Sequence, residues 1–152
     1  MKKSNFIKSI LSTVVVITLL SACRQNNNIQ SDIESIKSET IAIHDEIMPQ
    51  VGSFDRKSIK IDSILLSLDS LIKVDPNLDT AQIKQDLSGL KEKLEGATES
   101  MMQWMSEFNS NPENLSNEEL KSYYEKELAK VKEMKKTFEN VNSESTEKLA
   151  RY

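Results

Sequence analysis

The sequence predicts an all-α protein, folded as an antiparallel bundle of three long helices. Glycine and proline are scarce, with three of each among 152 residues, so few positions interrupt a helix. Apolar residues recur at steps of three and four along most of the chain, which is the period of an amphipathic helix. The strict alternation of apolar and polar residues that marks a half-buried strand is absent.

The first 22 residues have the composition of an export signal. Lys2, Lys3 and Lys8 precede an apolar run over residues 10–20, with no acidic residue among them. The run is too short for a transmembrane helix, which needs about 20 apolar residues. It ends in Leu20-Ser21-Ala22-Cys23, which resembles the lipobox of bacterial lipoproteins.

The lipobox resemblance implies cleavage after Ala22 and lipidation of Cys23, which attaches the protein to a membrane by its acyl chains. The expected organisation is therefore a signal peptide at 1–22, a polar lipidated tether at 23–30 and a helical domain at 31–152. Arg24 follows the cysteine, and no acidic cluster comes after it. By comparison with other bacterial lipoproteins, this favours the cell envelope and an outer membrane location facing the periplasm.

The first helix is predicted to begin at the capping box Ser31-Asp32-Ile33-Glu34 and to end before Pro76. Its apolar stripe passes Pro49 and Gly52 without a change of phase, which predicts one long helix kinked near Pro49. The alternative is two helices joined at about 49–54, which would give a four-helix bundle. The stripe consists of Ile29, Ile33, Ile36, Thr40, Ile43, Ile47, Val51, Phe54, Ser58, Ile61, Leu65, Leu68 and Ile72.

The two remaining helices each begin at a capping sequence. Asp79 with Gln82 predicts the start of the second helix, and Ser116 with Glu119 forms a capping box for the third. After about Asn142 the apolar pattern fades, and we expect the chain to fray. The stripes are Ile83, Leu87, Leu90, Leu94, Ala97, Met101, Trp104 and Phe108, then Leu120, Tyr124, Leu128, Val131, Met134, Phe138, Val141, Ser145 and Leu149.

The composition excludes several classes of function. The only cysteine, Cys23, is assigned to lipid, and His44 is the only histidine, so thiol catalysis and a multi-histidine zinc site are excluded. No glycine-rich phosphate loop is present. The net charge of −4 becomes more negative once the basic leader is removed, which argues against nucleic-acid binding. We therefore expect a protein that is not an enzyme and has no cofactor.

One cluster of residues suggests a site. An antiparallel hairpin that turns near residue 76 would place Met48 opposite about Trp104, with His44 four residues earlier on the same helix face. The turn near residue 112 would bring Tyr123 and Tyr124 to about the level of Met101. One interpretation is a packed layer of aromatic and methionine side chains. The second is a soft site for Cu(I), or for haem with axial histidine and methionine, and the third is a ligand pocket or partner-binding patch. The candidate ligands are His44, Met48, Met101, Met102 and Met105, and the candidate binding patch is His44, Met48 and Trp104.

Two short blocks carry a family resemblance. His44-Asp45-Glu46-Ile47-Met48-Pro49 and Met101-Met102-Gln103-Trp104-Met105, behind a lipobox, resemble uncharacterised lipoproteins of Bacteroidota that are often labelled "viral A-type inclusion protein". Members of that family typically have Asp before the Trp-Met pair, where this chain has Gln103, so the resemblance implies no carboxylate ligand at this position. The family implies no activity and no site residue.

These patterns predict a membrane-anchored helical-bundle lipoprotein that acts as a non-enzymatic interaction or structural module. Its expected partners are the membrane, through the lipid on Cys23, and either an envelope protein or a second copy of the chain. The alternative function is a periplasmic copper- or haem-binding protein that uses His44 and the nearby methionines.

Overall fold

The computed structural model describes residues 28–152, which are helical over most of their length and contain no strand. The predicted all-α class is confirmed, and the helices pack against each other as a bundle. Cys23, with the predicted signal peptide and most of the predicted tether, lies outside the described residues. The elements are α1 (28–47), a 3-10 turn (Met48–Gln50), α2 (Val51–Val74), α3 (Thr80–Glu107) and α4 (Asn117–Leu149).

The chain passes Pro49 without leaving the helical conformation. Ile47, Gln50 and Val51 all have right-handed helical backbone angles. Pro49 lies in the first turn of the short 3-10 segment, where its missing N–H group is tolerated. The predicted single long helix, bent near Pro49, is therefore confirmed, and α1 and α2 form its two halves.

The long helix α1–α2 runs parallel to α4 in a constant register. The Lys121 Nζ to Asp32 Oδ2 distance is 2.7 Å, and the Lys135 Nζ to Glu46 Oε1 distance is 2.6 Å. Beyond the bend, Lys60 Nζ donates to the carbonyl of Leu149 at 3.2 Å. The two residues of each pair are 89 positions apart, so the 3-10 turn does not shift the pairing.

The middle helix, α3, runs antiparallel to both neighbours. Lys91 Nζ lies 2.6 Å from Asp62 Oδ1 on α2, and Lys93 Nζ lies 2.8 Å from Glu144 Oε2 on α4. At the other end of α3, Trp104 contacts α1 and α4. The topology is therefore up–down–up, as expected for short connections between amphipathic helices.

The core consists mainly of the predicted apolar stripes, except that Ile64 is buried in the core and the predicted Leu65 is only partly buried against it. Phe54 of α2 and Phe138 of α4 are fully buried, and their rings stack with centroids 5.0 Å apart. Burying a side chain of this size contributes roughly 1.5–3 kcal/mol. The other buried apolar residues are Ile33, Ile47, Ile61, Ile64, Leu68, Leu87, Leu90, Leu94, Ala97, Met101, Trp104, Tyr124, Val131, Met134, Val141 and Leu149.

Two of the three predicted caps are confirmed. The Asp79 side chain accepts from the Gln82 backbone N–H at 3.0 Å, and Ser116 and Glu119 form a reciprocal capping box at the start of α4. The third prediction is wrong, because residues 28–30 are already helical and Ser31 lies inside α1. The part of the expected tether at 28–30 therefore belongs to the helix.

The ends of the stripes also differ from expectation. Ser145 and Leu149 are buried and α4 continues to Leu149, so the predicted fraying after Asn142 is wrong. Ile72 belongs to the predicted stripe of the first helix but is 39% exposed, because α4 ends level with Lys60 and leaves no third helix beside it. Within residues 28–152, no helix is both long enough and apolar enough to cross a bilayer.

Candidate functional site

His44 lies on the side of α1 that faces α3, and its side chain is 20% exposed. Its ring centroid is 5.5 Å from that of Trp104, with an interplanar angle of 34°, which confirms that these two residues are at one level of the bundle. The His44 Nδ1 atom lies 2.8 Å from Asp45 Oδ1. A carboxylate only accepts, so Nδ1 donates in this contact, and in the tautomer that carries its single proton on Nδ1 the lone pair lies on Nε2. This Nε2 atom is buried and has no hydrogen-bond partner among residues 28–152.

Trp104 connects all three helices at this level. Its indole is 6% exposed, and its Nε1 donates to Glu127 Oε2 of α4 at 2.8 Å. Glu127 is 5% exposed, and its other oxygen accepts from Lys130 Nζ at 2.8 Å. This hydrogen bond to Glu127 raises the pKa of the Lys130 ammonium above its usual value. The buried carboxylate is thus paired on both oxygens, as a buried charge requires.

The four methionines of the predicted cluster lie at different depths. Met101 is fully buried in the core, and Met48 is partly buried against it. Met102 and Met105 are 50% and 40% exposed. The structure therefore assigns Met101 to core packing, whereas Met48 and Met105 lie at the edge of the bundle, as His44 does.

The aromatic layer extends past Trp104 to the end of α3. The Phe108 ring stacks on the Trp104 indole with centroids 4.7 Å apart, and it also contacts the rings of Tyr123 and Tyr124. The prediction that these tyrosines lie near Met101 is wrong, because they lie about two turns further along α3, against Phe108. The Tyr124 hydroxyl donates to the Ser110 carbonyl at 2.9 Å, and burial raises the pKa of Tyr124.

Sequence reasoning missed Glu127 as part of this layer. The apolar stripe of α4 passes through Tyr124 and Leu128 to Val131 and therefore predicts that Glu127 lies on the solvated face. Its spacing of three from Tyr124 and four from Val131 is also that of a core position. Spacing could have found this residue, but its charge argued for the surface.

Lys57 is the other polar group with an unusual environment. Its Nζ donates to Asn142 Oδ1 at 2.8 Å, to Ser145 Oγ at 2.7 Å and to Thr146 Oγ1 at 3.3 Å. Burial lowers the pKa of this ammonium below its usual value. All three hydrogens of the ammonium are donated to α4, so Lys57 links α2 to α4 by hydrogen bonds and is not available as a nucleophile.

A metal site built from imidazole, thiolate or carboxylate ligands alone has no support among the described residues. Among residues 28–152, no group of three or more His, Cys, Asp or Glu side chains is placed to hold a metal ion. The chemistry that remains at this layer is the imidazole of His44, the neighbouring thioethers and the aromatic rings. No family model, no curated protein and no solved structure matches this chain.

Proposed function

We propose that this chain is a lipoprotein, tethered through lipid on Cys23 to the periplasmic face of the outer membrane, whose helical rod is a non-enzymatic interaction or structural module. Membership of the Bacteroidota lipoprotein family that its two short blocks resemble is part of the same proposal. The attachment is supported by the basic leader and by Leu20-Ser21-Ala22-Cys23.

The exposed apolar side chains at the α2–α3 hairpin carry the proposal of an interaction module. Leu66 is 86% exposed and Val74 is 85% exposed. Together with the partly exposed Leu71 and Ile72, they lie within one short segment of α2. Where exposed apolar side chains are concentrated on a protein surface, that surface is commonly an interaction site.

In the sequence, the full length of α1 and α2 separates Cys23 from the α2–α3 hairpin. The helical path from residue 28 to Val74 is roughly 70 Å long, and the bend at Pro49 keeps the register with α4. Such a stiff element holds an apolar end at a distance from its tether. This geometry suits contact with another envelope protein better than it suits catalysis.

The lipid attachment is tested by Cys23→Ser in the native host. Labelling with a radioactive fatty acid is expected to mark the wild-type protein and to leave the variant unmarked, because the thiol that accepts the lipid is missing. The variant is also expected to retain its leader. If Cys23→Ser carries the label at the wild-type level, the assignment of the anchor is wrong.

The interaction is tested by cross-linking in whole cells, followed by capture from detergent-solubilised envelope. The double variant Leu66→Lys/Val74→Lys is expected to lose a protein partner that wild type recovers. The matched control Ser70→Lys/Asn77→Lys adds the same charge at the same end without removing an apolar side chain, and it should retain the partner. Equal recovery by both variants, or recovery of only a small molecule or metal, would contradict the proposal.

A further inference from the structure

The buried nitrogen of His44 lacks an explanation in the packing of the bundle. Buried polar atoms in folded proteins are nearly always hydrogen-bonded, and an exception calls for a water, an ion or a function. His44 Nε2 is such an exception within residues 28–152. The Asp45 carboxylate at 2.8 Å from Nδ1 is the partner that orients histidines whose other nitrogen binds a metal.

Helical spacing places two thioethers on the faces of the long helix and α3 that meet near this nitrogen. Met48 is four residues after His44, on the same face of the long helix, and it packs against the core. On α3, Lys91 and Met105 are two heptads apart and therefore share a face. Lys91 pairs with Asp62 of α2 at 2.6 Å, so this face of α3, including Met105, is directed at the long helix.

We propose that His44 Nε2 and the thioethers of Met48 and Met105 bind one Cu(I) ion at the edge of the bundle. Imidazole and thioether are donors that suit copper, and thioether in particular selects the soft Cu(I) state. Haem is a poorer fit, because the Trp104 ring lies against His44 at 5.5 Å, where a porphyrin would need space.

The location of the site separates it from the proposed interaction module. The His44 layer lies in the α1 half of the rod, at the C-terminal end of α3, whereas the exposed apolar side chains lie at the α2–α3 hairpin. Substitutions at the copper ligands are therefore expected to leave partner capture intact, and substitutions at the hairpin are expected to leave copper binding intact. Leu66→Lys/Val74→Lys should leave copper affinity unchanged.

The experiment is an anaerobic Cu(I) titration of the full lipidated protein in detergent, in competition with a chromophoric Cu(I) chelator. One equivalent is expected to bind with a Kd below about 1 µM. Trp104 is the only tryptophan, and its fluorescence is expected to be quenched at the same stoichiometry because its ring adjoins His44. Loss of a ligand in His44→Gln, Met48→Leu or Met105→Leu should weaken binding by about tenfold or more.

The matched control is Met102→Leu, which removes the thioether that is 50% exposed and should leave the affinity unchanged. Circular dichroism of each variant establishes that the helices are intact. A Kd weaker than about 1 µM for wild type, or an unchanged affinity for His44→Gln, would overturn the proposal. An equal loss in Met102→Leu would overturn the assigned donor set.

Discussion

The middle of the rod and its hairpin end share one heptad pattern but differ in burial. In the middle, Phe54 and Ile61 are fully buried by α3 and α4. At the hairpin, Ile72 continues the same repeat and is 39% exposed. The cause is the length of α4, which ends at Leu149, level with Lys60. Heptad spacing therefore identifies which face of a helix is apolar, whereas burial depends on how many helices reach that level.

The hairpin still has a core of its own, but a thinner one. Leu68 is 7% exposed, although α4 does not reach its level. The outward side chains Leu66 and Val74 have no such cover among the described residues. Two helices protect one seam, and the third helix is needed to bury a wider apolar face.

The largest expected effect is on the buried aromatic pair in the middle. Phe54→Ala should lower the free energy of unfolding by about 3–5 kcal/mol, because it removes a stacked ring and leaves a cavity against Phe138. The matched change at the hairpin, Leu66→Ala, should cost no more than about 0.5 kcal/mol. Urea unfolding followed by circular dichroism measures both. Similar losses for the two variants would abolish the contrast between the regions.

An intermediate effect is expected at Trp104. Trp104→Phe keeps an aromatic ring but removes the indole donor, which leaves Glu127 Oε2 buried without its partner. The expected loss of stability is about 1–3 kcal/mol. The double variant Trp104→Phe/Glu127→Leu should recover part of this loss, since the unpaired carboxylate is gone. If the double variant loses more free energy of unfolding than the two single variants together, the indole hydrogen bond is not what compensates the burial of the Glu127 carboxylate.

The smallest expected effect concerns the surface pairs that fasten α4. The Glu144 carboxylate accepts from Lys93 and Lys148, and these hydrogen bonds lower the pKa of Glu144 below its usual value. The pairing therefore stabilises the fold at neutral pH, and its contribution is lost as the pH falls through the usual carboxyl range and below.

Glu144→Gln should accordingly narrow the difference between urea midpoints measured at about pH 7 and about pH 3. Lys93→Met removes the strongest cause of the shift and should narrow the difference in the same direction. An unchanged pH dependence in both variants would mean that this carboxylate does not couple to folding.

Much of the fold was predictable because the local signals agreed with the packing. The unbroken phase across Pro49 indicated one bent helix, and Asp79 and Ser116 are caps in the structure. The prediction that Ser31 caps the first helix is wrong because Ser31-Asp32-Ile33-Glu34 is also compatible with a helix interior. Nothing in these four residues excludes an earlier start of the helix. Ser145 lies on the heptad spacing of α4 although its polarity argues against burial, and in the structure its hydroxyl accepts a hydrogen bond from Lys57 of α2.

The candidate site was predictable at the level of which residues meet, but not at the level of atoms. Counting back from the hairpin places Met48 opposite Trp104 and His44 at the same level, and the contact between His44 and Trp104 confirms the second of these. The depth of Met101, the pairing of Glu127 and the unpaired Nε2 of His44 depend on helix rotation and rotamer. One-dimensional spacing does not determine these properties.

The separation of 89 residues that recurs at three pairs between the long helix and α4 restricts how the length of this chain can change. One residue inserted in α1 would leave the later pairs 89 positions apart but would make the earlier pairs about 90 apart, so the segment before the insertion would be rotated by about 100° relative to its partners on α4. An added heptad would restore the facing direction but displace the pairs by about 10 Å along the axis, unless α4 gained a heptad as well. Length variants of this rod should therefore grow in matched heptads on both helices, or in the connection at 75–79, whereas the connection at 108–116 is held to α4 by the hydrogen bond from Tyr124 to Ser110.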